Sequence, residues 1–241
     1  DIDPESFTIC PEAVEAAITE RTVGILPVHI GGHPADMDAL CVIAKQHDLI
    51  IVEDCAQAHG AEHKGHKVGT RGDVGAYSFQ SSKNLTSGEG GCIVTNNPEI
   101  RDLAHAFKDV GRRPGGERWE YPRHGWNYRT SEYLAAILLK RLTDLERQTD
   151  LRNENANYIS EELERIGGIT PPRWRPWVTQ HGYHLYMMLY EPEAFGGQDR
   201  DTFVKALQAE GISSTPGYQR PLTDEGALKT VADQYPNLVR R

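Results

Sequence analysis

The run Leu49-Ile50-Ile51-Val52 constrains the fold more than any other stretch. It is a continuous, largely β-branched apolar segment, with the polar pair Glu53-Asp54 at its end. A run without alternation predicts a strand buried on both faces. Upstream, Thr22–Val28 (TVGILPV) reads as a short apolar strand. Ala35–His47 reads as a helix, with Met37, Leu40, Cys41 and Ala44 at helical spacing. Strand, helix and doubly buried strand form a βαβ unit, which predicts a parallel sheet covered by helices. Ligands of such sheets sit at the carboxyl ends of strands, and Asp54 stands at one.

The rest of the chain fits this beginning. Pro11–Glu20 reads as a helix, with Pro11 in its first turn and Val14, Ala17 and Ile18 on one face. Gly75–Phe79 and Gly91–Thr95 have strand character, the second ending at the turn-forming Asn96-Asn97-Pro98. Glu99–Lys108 predicts a helix, and the Gly-, Pro- and Arg-rich Gly111–Arg129 a long loop. From Ser131 onward, Leu134, Leu138, Leu142 and Leu145 recur at helical spacing. This long amphipathic helix runs on through Tyr158, Ile159, Leu163 and Ile166, with a break near Thr149-Asp150, and Gly167-Gly168 stops it. Tyr183–Tyr190 reads as a strand and Arg200–Glu210 as a helix. The fold class is α/β: an αβα sandwich with a mostly parallel sheet over residues 1–147, then a smaller α+β domain over residues 148–241. The chain opens on Asp1-Ile2-Asp3-Pro4 and closes on Pro236–Arg241, after a helical-looking segment. Both ends are expected to be cuts through a larger protein.

A formal net charge of −9, with no long basic run, argues against nucleic acid as a partner. No apolar run approaches the roughly eighteen residues of a membrane span, and no signal pattern opens the chain. A cytoplasmic location is therefore expected. Cys10, Cys41, Cys55 and Cys92 are widely spaced and three lie in apolar runs, which predicts buried free thiols. Histidines suggest a metal-dependent hydrolase, since His29 and His33 are four apart and His59, His63 and His66 could share a helical face. Gly31-Gly32, Gly60 and Gly65 break both sets into loops, and no HExxH or Cys/His pairing supplies zinc ligands. Thr86–Gly91 precedes a strand, so it forms neither a P-loop nor a dinucleotide fingerprint.

The remaining constellation is Asp54, Gln57, His59, Ser78 and Lys83. Lys83 is the only cation on the polar connection between the two apolar runs. A lysine held there is placed to condense with a carbonyl group. Asp54 can keep a heterocyclic nitrogen protonated, Gln57 can donate to a ring oxygen, and Ser78 can bond a phosphate. Each residue alone has a plainer reading, as a turn cap, a strand hydroxyl or a solvated lysine. Together they match what pyridoxal phosphate needs.

Val52–Asn97 (VEDCAQAHGAEHKGHKVGTRGDVGAYSFQSSKNLTSGEGGCIVTNN) closely resembles the DegT/DnrJ/EryC1/StrS sugar aminotransferases, pyridoxal phosphate enzymes of fold type I. Gly125–Leu142 (GWNYRTSEYLAAILLKRL) is similar to the family's next block, and the match runs through Gly217–Leu222. The resemblance implies Lys83 as the imine-forming lysine and proton shuttle, Asp54 at the pyridinium nitrogen, Gln57 at the ring hydroxyl and Ser78 at the phosphate. It implies His59 near the ring, and Asn127 reaching the cofactor phosphate of a neighbouring subunit in a homodimer. Relatives with histidine in place of Lys83 perform dehydration, so lysine implies transamination, from glutamate or glutamine to a keto-sugar or ketocyclitol. Family members carry more chain at the N-terminus, where a phosphate turn and a stacking aromatic lie. This chain alone is therefore expected to lack part of the cofactor cup. A non-catalytic pyridoxal-phosphate-binding regulator is the alternative the family leaves open.

Overall fold

The structure is a computed structural model and describes residues 1–221, 224–227 and 230. Leu222, at the end of the family match, and the segment leading to Pro236 lie outside the described residues. The first helix, α1 (Pro11–Ala17), has Pro at its start, where the missing N–H costs nothing. Strand β1 (Gly24–Ile25) is shorter than the expected Thr22–Val28. Pro27 has no N–H to give a ladder, and pairing resumes as a bridge from Val28 to Asp54. Helix α2 (Met37–Gln46) is capped by Asp36, whose carboxylate accepts from the Ala39 N–H at 3.1 Å. It buries Met37, Leu40, Ile43 and Ala44 against Ile25 and Ile51.

Strand β2 (Ile50–Asp54) alternates: Ile51 and Glu53 are buried, Val52 and Asp54 half-buried, and Ile50 exposed. The expectation of burial on both faces is thereby corrected, because the core formed with α2 takes the Ile51 side of the strand. Strands β3 (Glu62–His63) and β4 (His66–Lys67) make a hairpin turned by Lys64 and Gly65, both at positive φ (48° and 78°). Strand β5 (Val74–Ser78) pairs in parallel with β2 and antiparallel with β6 (Gly91–Val94). The sheet order is β1-β2-β5-β6, mainly parallel as expected.

Helix α3 (Pro98–Lys108) is capped by Asn97, which accepts from the Glu99 and Ile100 N–H groups. Helices α4 (Glu132–Leu142) and α5 (Leu145–Ile166) replace the single long helix. The break falls at Thr143-Asp144 rather than Thr149-Asp150. Thr149 is buried within α5 and returns its hydroxyl to the Leu145 carbonyl at 2.8 Å. Strand β7 (Ile169–Thr170) precedes β8 (Val178–Gln180), which extends the β3–β4 hairpin to three strands. Of the expected strand Tyr183–Tyr190, only β9 (Leu189–Tyr190) is extended and paired, with β7. The stretch before it bonds to Gly31 and Gly32 instead: Gly182 N–H to Gly32 O, and His184 and Leu185 N–H to Gly31 O. Helix α6 (Arg200–Ala209) is capped by Asp199.

The chain forms two compact units, residues 1–165 with 171–188, and residues 166–170 with the described residues from Leu189 on. This partition keeps nearly all of α5 with the sheet, unlike a division after Arg147. The cysteines are free, but only Cys55 is buried; Cys10 and Cys41 are half-buried and Cys92 is exposed on β6. Among the described residues, no helix is long and apolar enough to cross a membrane. Trp119, Trp126, Tyr128 and Tyr133 are exposed on and after the long loop.

Candidate active site

The site is set by the two faces of β2. Glu53 turns inward, with no exposed surface. Its carboxylate accepts from the Gly69, Arg71 and Gly72 N–H groups at 2.6, 2.8 and 2.6 Å, and meets His29 Nε2 at 3.0 Å. Burial works to raise this carboxyl's pKa. The bonds from His29, Gly72 and Gly69 overcome it and hold the group below the ordinary carboxylate range. This clamp anchors the end of β2 and turns Asp54 to the opposite face.

Asp54 lies in parallel register with Ala76 of β5, and Ser78, two residues on, shares the Ala76 face. Asp54 Oδ1 accepts from the Ala56 N–H at 3.0 Å, a side-chain turn that bends the chain off the strand. Gln57 Oε1 accepts from the Gly31 N–H at 2.7 Å, so the opposite end of the amide is its donor end. Lys83 is half-buried on the connection from β5 to β6. Its N–H bonds the Gln80 carbonyl at 3.0 Å, and the adjacent Asn84 Nδ2 donates to Gly182 O at 2.7 Å.

His59 is 2% exposed, with its ring centroid 5.4 Å from that of Tyr77 and 6.1 Å from that of Phe79. Tyr77 alternates with Ala76 and Ser78, so His59 packs on the side of β5 opposite Ser78. Its ring nitrogens are buried, and burial pushes its pKa down to about 4 against an opposing contribution from the Ser78 backbone. Asn127 is exposed and bridges to Asp109 at the end of α3. Two side chains without any sequence signal also belong to the Lys83 neighbourhood. His184 has its pKa lowered by burial and then by the charges of Lys83 and Arg152, which act on His59 as well.

The histidine sets do not converge as metal sites. His63 and His66 face each other across the β3–β4 hairpin, one buried and one exposed. His29, Glu53 and Cys55 do bring potential ligand atoms within 4.8 Å of one another. However, His29 Nδ1 accepts from the Ala35 N–H at 3.0 Å, so Nε2 carries the proton toward Glu53. Glu53 already takes four donors, and burial raises the Cys55 thiol's pKa. With the carboxylate engaged by four donors, the His29 ring directed at it and the thiol held protonated, the trio acts as a structural clamp.

A model of the DegT/DnrJ/EryC1/StrS aminotransferase family matches residues 1–239. An L-glutamine:2-deoxy-scyllo-inosose aminotransferase of Streptoalloteichus tenebrarius is 41% identical over 230 residues, covering 90% of this chain and 54% of the relative. The erythromycin biosynthesis sensory transduction protein EryC1 of Saccharopolyspora erythraea is 37% identical over 224 residues, covering 92% and 58%. The crystal structure of S. venezuelae DesV in complex with a ketimine intermediate superposes with a TM-score of 0.85 at 36% identity, covering 95% of this chain and 59% of that one. The chain thus spans a little over half the length of these relatives.

Proposed function

The chain belongs to the DegT/DnrJ/EryC1/StrS aminotransferase family, and from that premise we propose that its protein is a pyridoxal-phosphate-dependent aminotransferase. The amino group passes from L-glutamine or glutamate to a keto-sugar or ketocyclitol. The inosose aminotransferases among the relatives support the cyclitol class. The observation that carries the reading is the register of Asp54 with Ala76, which puts a carboxylate and the Ser78 hydroxyl on one face beside the Lys83 connection.

Pyridoxal phosphate, when bound, supplies an aldehyde that captures amines and a ring that withdraws electrons from the captured carbon. Lys83 would supply the amine that holds this aldehyde and, when free, would move a proton at Nζ. Asp54 would keep the ring nitrogen protonated, with the Glu53 clamp behind it holding that carboxylate in place. Gln57 would donate from the end opposite Gly31, and Ser78 Oγ would bond the phosphate. His59 supports the strand end from behind. The reading includes a homodimer in which Asn127 reaches the neighbouring cofactor phosphate; the exposed aromatic surface around Asn127 is of the kind dimer interfaces bury.

Borohydride reduction of the intact protein loaded with pyridoxal phosphate, followed by peptide mapping, is expected to place the reduced adduct on Lys83. An adduct on any other amine overturns the assignment. A second reading, a regulator that binds the cofactor without turnover, draws on the name of EryC1. Conversion of L-glutamine in the presence of a scyllo-inosose-type ketone separates the two, since the regulator consumes none.

A further inference from the structure

The connections that leave β1, β2 and β5 all return to one segment far along the chain, His181–Leu185. After β1, Gly31 O accepts from the His184 and Leu185 N–H groups at 2.9 and 3.1 Å, and Gly32 O from the Gly182 N–H at 2.8 Å. After β2, Ala58 lies against Gly182, where an added Cβ would stand 3.3 Å from the Ala58 Cα and 3.2 Å from the Gly32 Cα. Backbones meet that closely only where no side chain intervenes. After β5, Asn84 Nδ2 donates to the Gly182 carbonyl at 2.7 Å. Helix α5 holds the same segment: Asn153 Oδ1 accepts from the His181 N–H at 3.3 Å, and its Nδ2 donates to His181 O at 2.9 Å. Residues 181–183 are buried, so the segment is a strap with little freedom of its own. The loop that carries Lys83, by contrast, bonds mostly to itself. Ser82 gives its N–H and Oγ to Gln80 Oε1 at 2.8 and 2.7 Å, the Lys83 N–H goes to Gln80 O, and the Ser87 N–H closes the base on Phe79 O. Among the described residues, the Asn84 bond is the one hydrogen bond by which Ser81–Leu85 reach outside that loop.

We infer that Asn84 is a positioning residue: its bond to the strap fixes the backbone from which Lys83 reaches, and thereby the place of the reactive amine relative to Asp54. The inference rests on Lys83 being that amine. A lysine carries its amine on a flexible four-carbon stem, so Nζ returns to one point only if its backbone is fixed. The loop's internal bonds hold its shape, and the Asn84 amide fixes its place. The anchor is shared with the rest of the site. The strap also binds Gly31, whose N–H goes to Gln57 Oε1 at 2.7 Å, and the same β1 connection begins with the bond from His29 N–H to Asp54 O at 3.0 Å. Lys83 from the end of β5, and Gln57 and Asp54 from the end of β2, are thus set against the same few residues. A displacement of about 1 Å at a reacting group costs on the order of a hundredfold in rate, so one bond of ordinary strength can govern it.

The test compares the intact protein with Asn84→Ala and, separately, with Gly182→Ala, which keeps every hydrogen-bonding group but forces the close-packed strap to shift. Without pyridoxal phosphate, amide exchange across Ser81–Leu85 is expected to quicken about tenfold in Asn84→Ala, as for the loss of one hydrogen bond, with β2 and β5 unchanged. Retention of pyridoxal phosphate is expected to stay within about twofold of wild type, because Asp54, Gln57 and Ser78 are untouched. Turnover of L-glutamine with a scyllo-inosose-type ketone is expected to fall about a hundredfold in kcat, with KM for L-glutamine within about twofold. Gly182→Ala should show the same split, and the double variant should be no slower than the slower single variant, since both act through one contact. A variant that melts at a lower temperature yet keeps the wild-type kcat makes the bond one of stability alone and overturns the proposal. Lost retention of pyridoxal phosphate with exchange unchanged overturns it too, by placing Asn84 on the cofactor, and so does full additivity in the double variant. Should Asn84→Ala fail to fold, Asn84→Ser carries the test, its donor one atom shorter: the same split appears, or the proposal fails. Absence of any Lys83 adduct in wild type refutes the aminotransferase reading instead, while quickened exchange in Asn84→Ala would leave the anchoring bond in place.

Discussion

Glu53→Gln is the perturbation whose cost the structure specifies most fully. Each carboxylate oxygen serves two donors: Oε1 takes the Arg71 and Gly72 N–H groups, and Oε2 takes Gly69 N–H and His29 Nε2. A glutamine keeps one oxygen, so its NH2 must face two donors whichever way the amide turns. His29 cannot relieve this by moving its proton, because Nδ1 already accepts from Ala35. Two buried donors orphaned at about 2 kcal/mol each give a loss of about 4 kcal/mol. Urea denaturation of wild type and variant, compared at equal slope, measures it. A loss under about 1 kcal/mol would refute the clamp. The pH dependence follows with a definite sign. The folded pKa lies below the ordinary 4.5, so the stabilisation is fully present above that value. It drains away as pH falls through the folded pKa, and the Gln variant should lack this acid limb.

Lys83→Ala should abolish the borohydride adduct while changing stability by less than about 0.5 kcal/mol, because the residue is half-buried on a connection; circular dichroism melts check the second part. His33 and His59 have folded pKa values of about 4 against an ordinary 6.5, so they bind protons more readily when the chain unfolds. Their contribution is complete above pH 6.5 and is lost below it, about 2 kcal/mol for each by pH 5. A His59→Phe variant should therefore show a shallower fall in urea midpoint between pH 7 and 5, and an equally steep fall counts against a neutral buried ring. Gly60→Ala, at φ 83° and facing Thr149, should cost about 2 kcal/mol. Adding Thr149→Ala should restore part of that loss in thermal melts, and strict additivity would exclude the contact.

The parallel sheet was legible because Leu49–Val52 and Gly75–Phe79 are too apolar and too short for helices of the same composition. What stayed hidden depends on distant partners. The Thr149-Asp150 break looked natural from residue type, but a buried threonine that bonds back along its own helix tolerates the interior. The β3–β4 hairpin was missed although Lys64-Gly65 between short polar runs is a turn signal; two-residue strands have no periodicity to read. Tyr183–Tyr190 carries strand-forming residues, yet the His184 and Leu185 N–H groups go to Gly31. Nothing local marks that partnership, nor the approach of Arg152 and His184 to Lys83. His59 was expected near the ring; its place against Tyr77 depends on which way the chain bends after Asp54.

The bonds from Gly182, His184 and Leu185 to Gly31 and Gly32 also dictate an order of events on the ribosome. The peptide bearing Gly31 emerges long before its partners, and β3 likewise waits for β8. Until the segment through Leu185 clears the exit tunnel, the nascent sheet unit has an open hydrogen-bonding edge and an unsecured glycine pair. Chaperone occupancy during synthesis should persist to that point and fall after it.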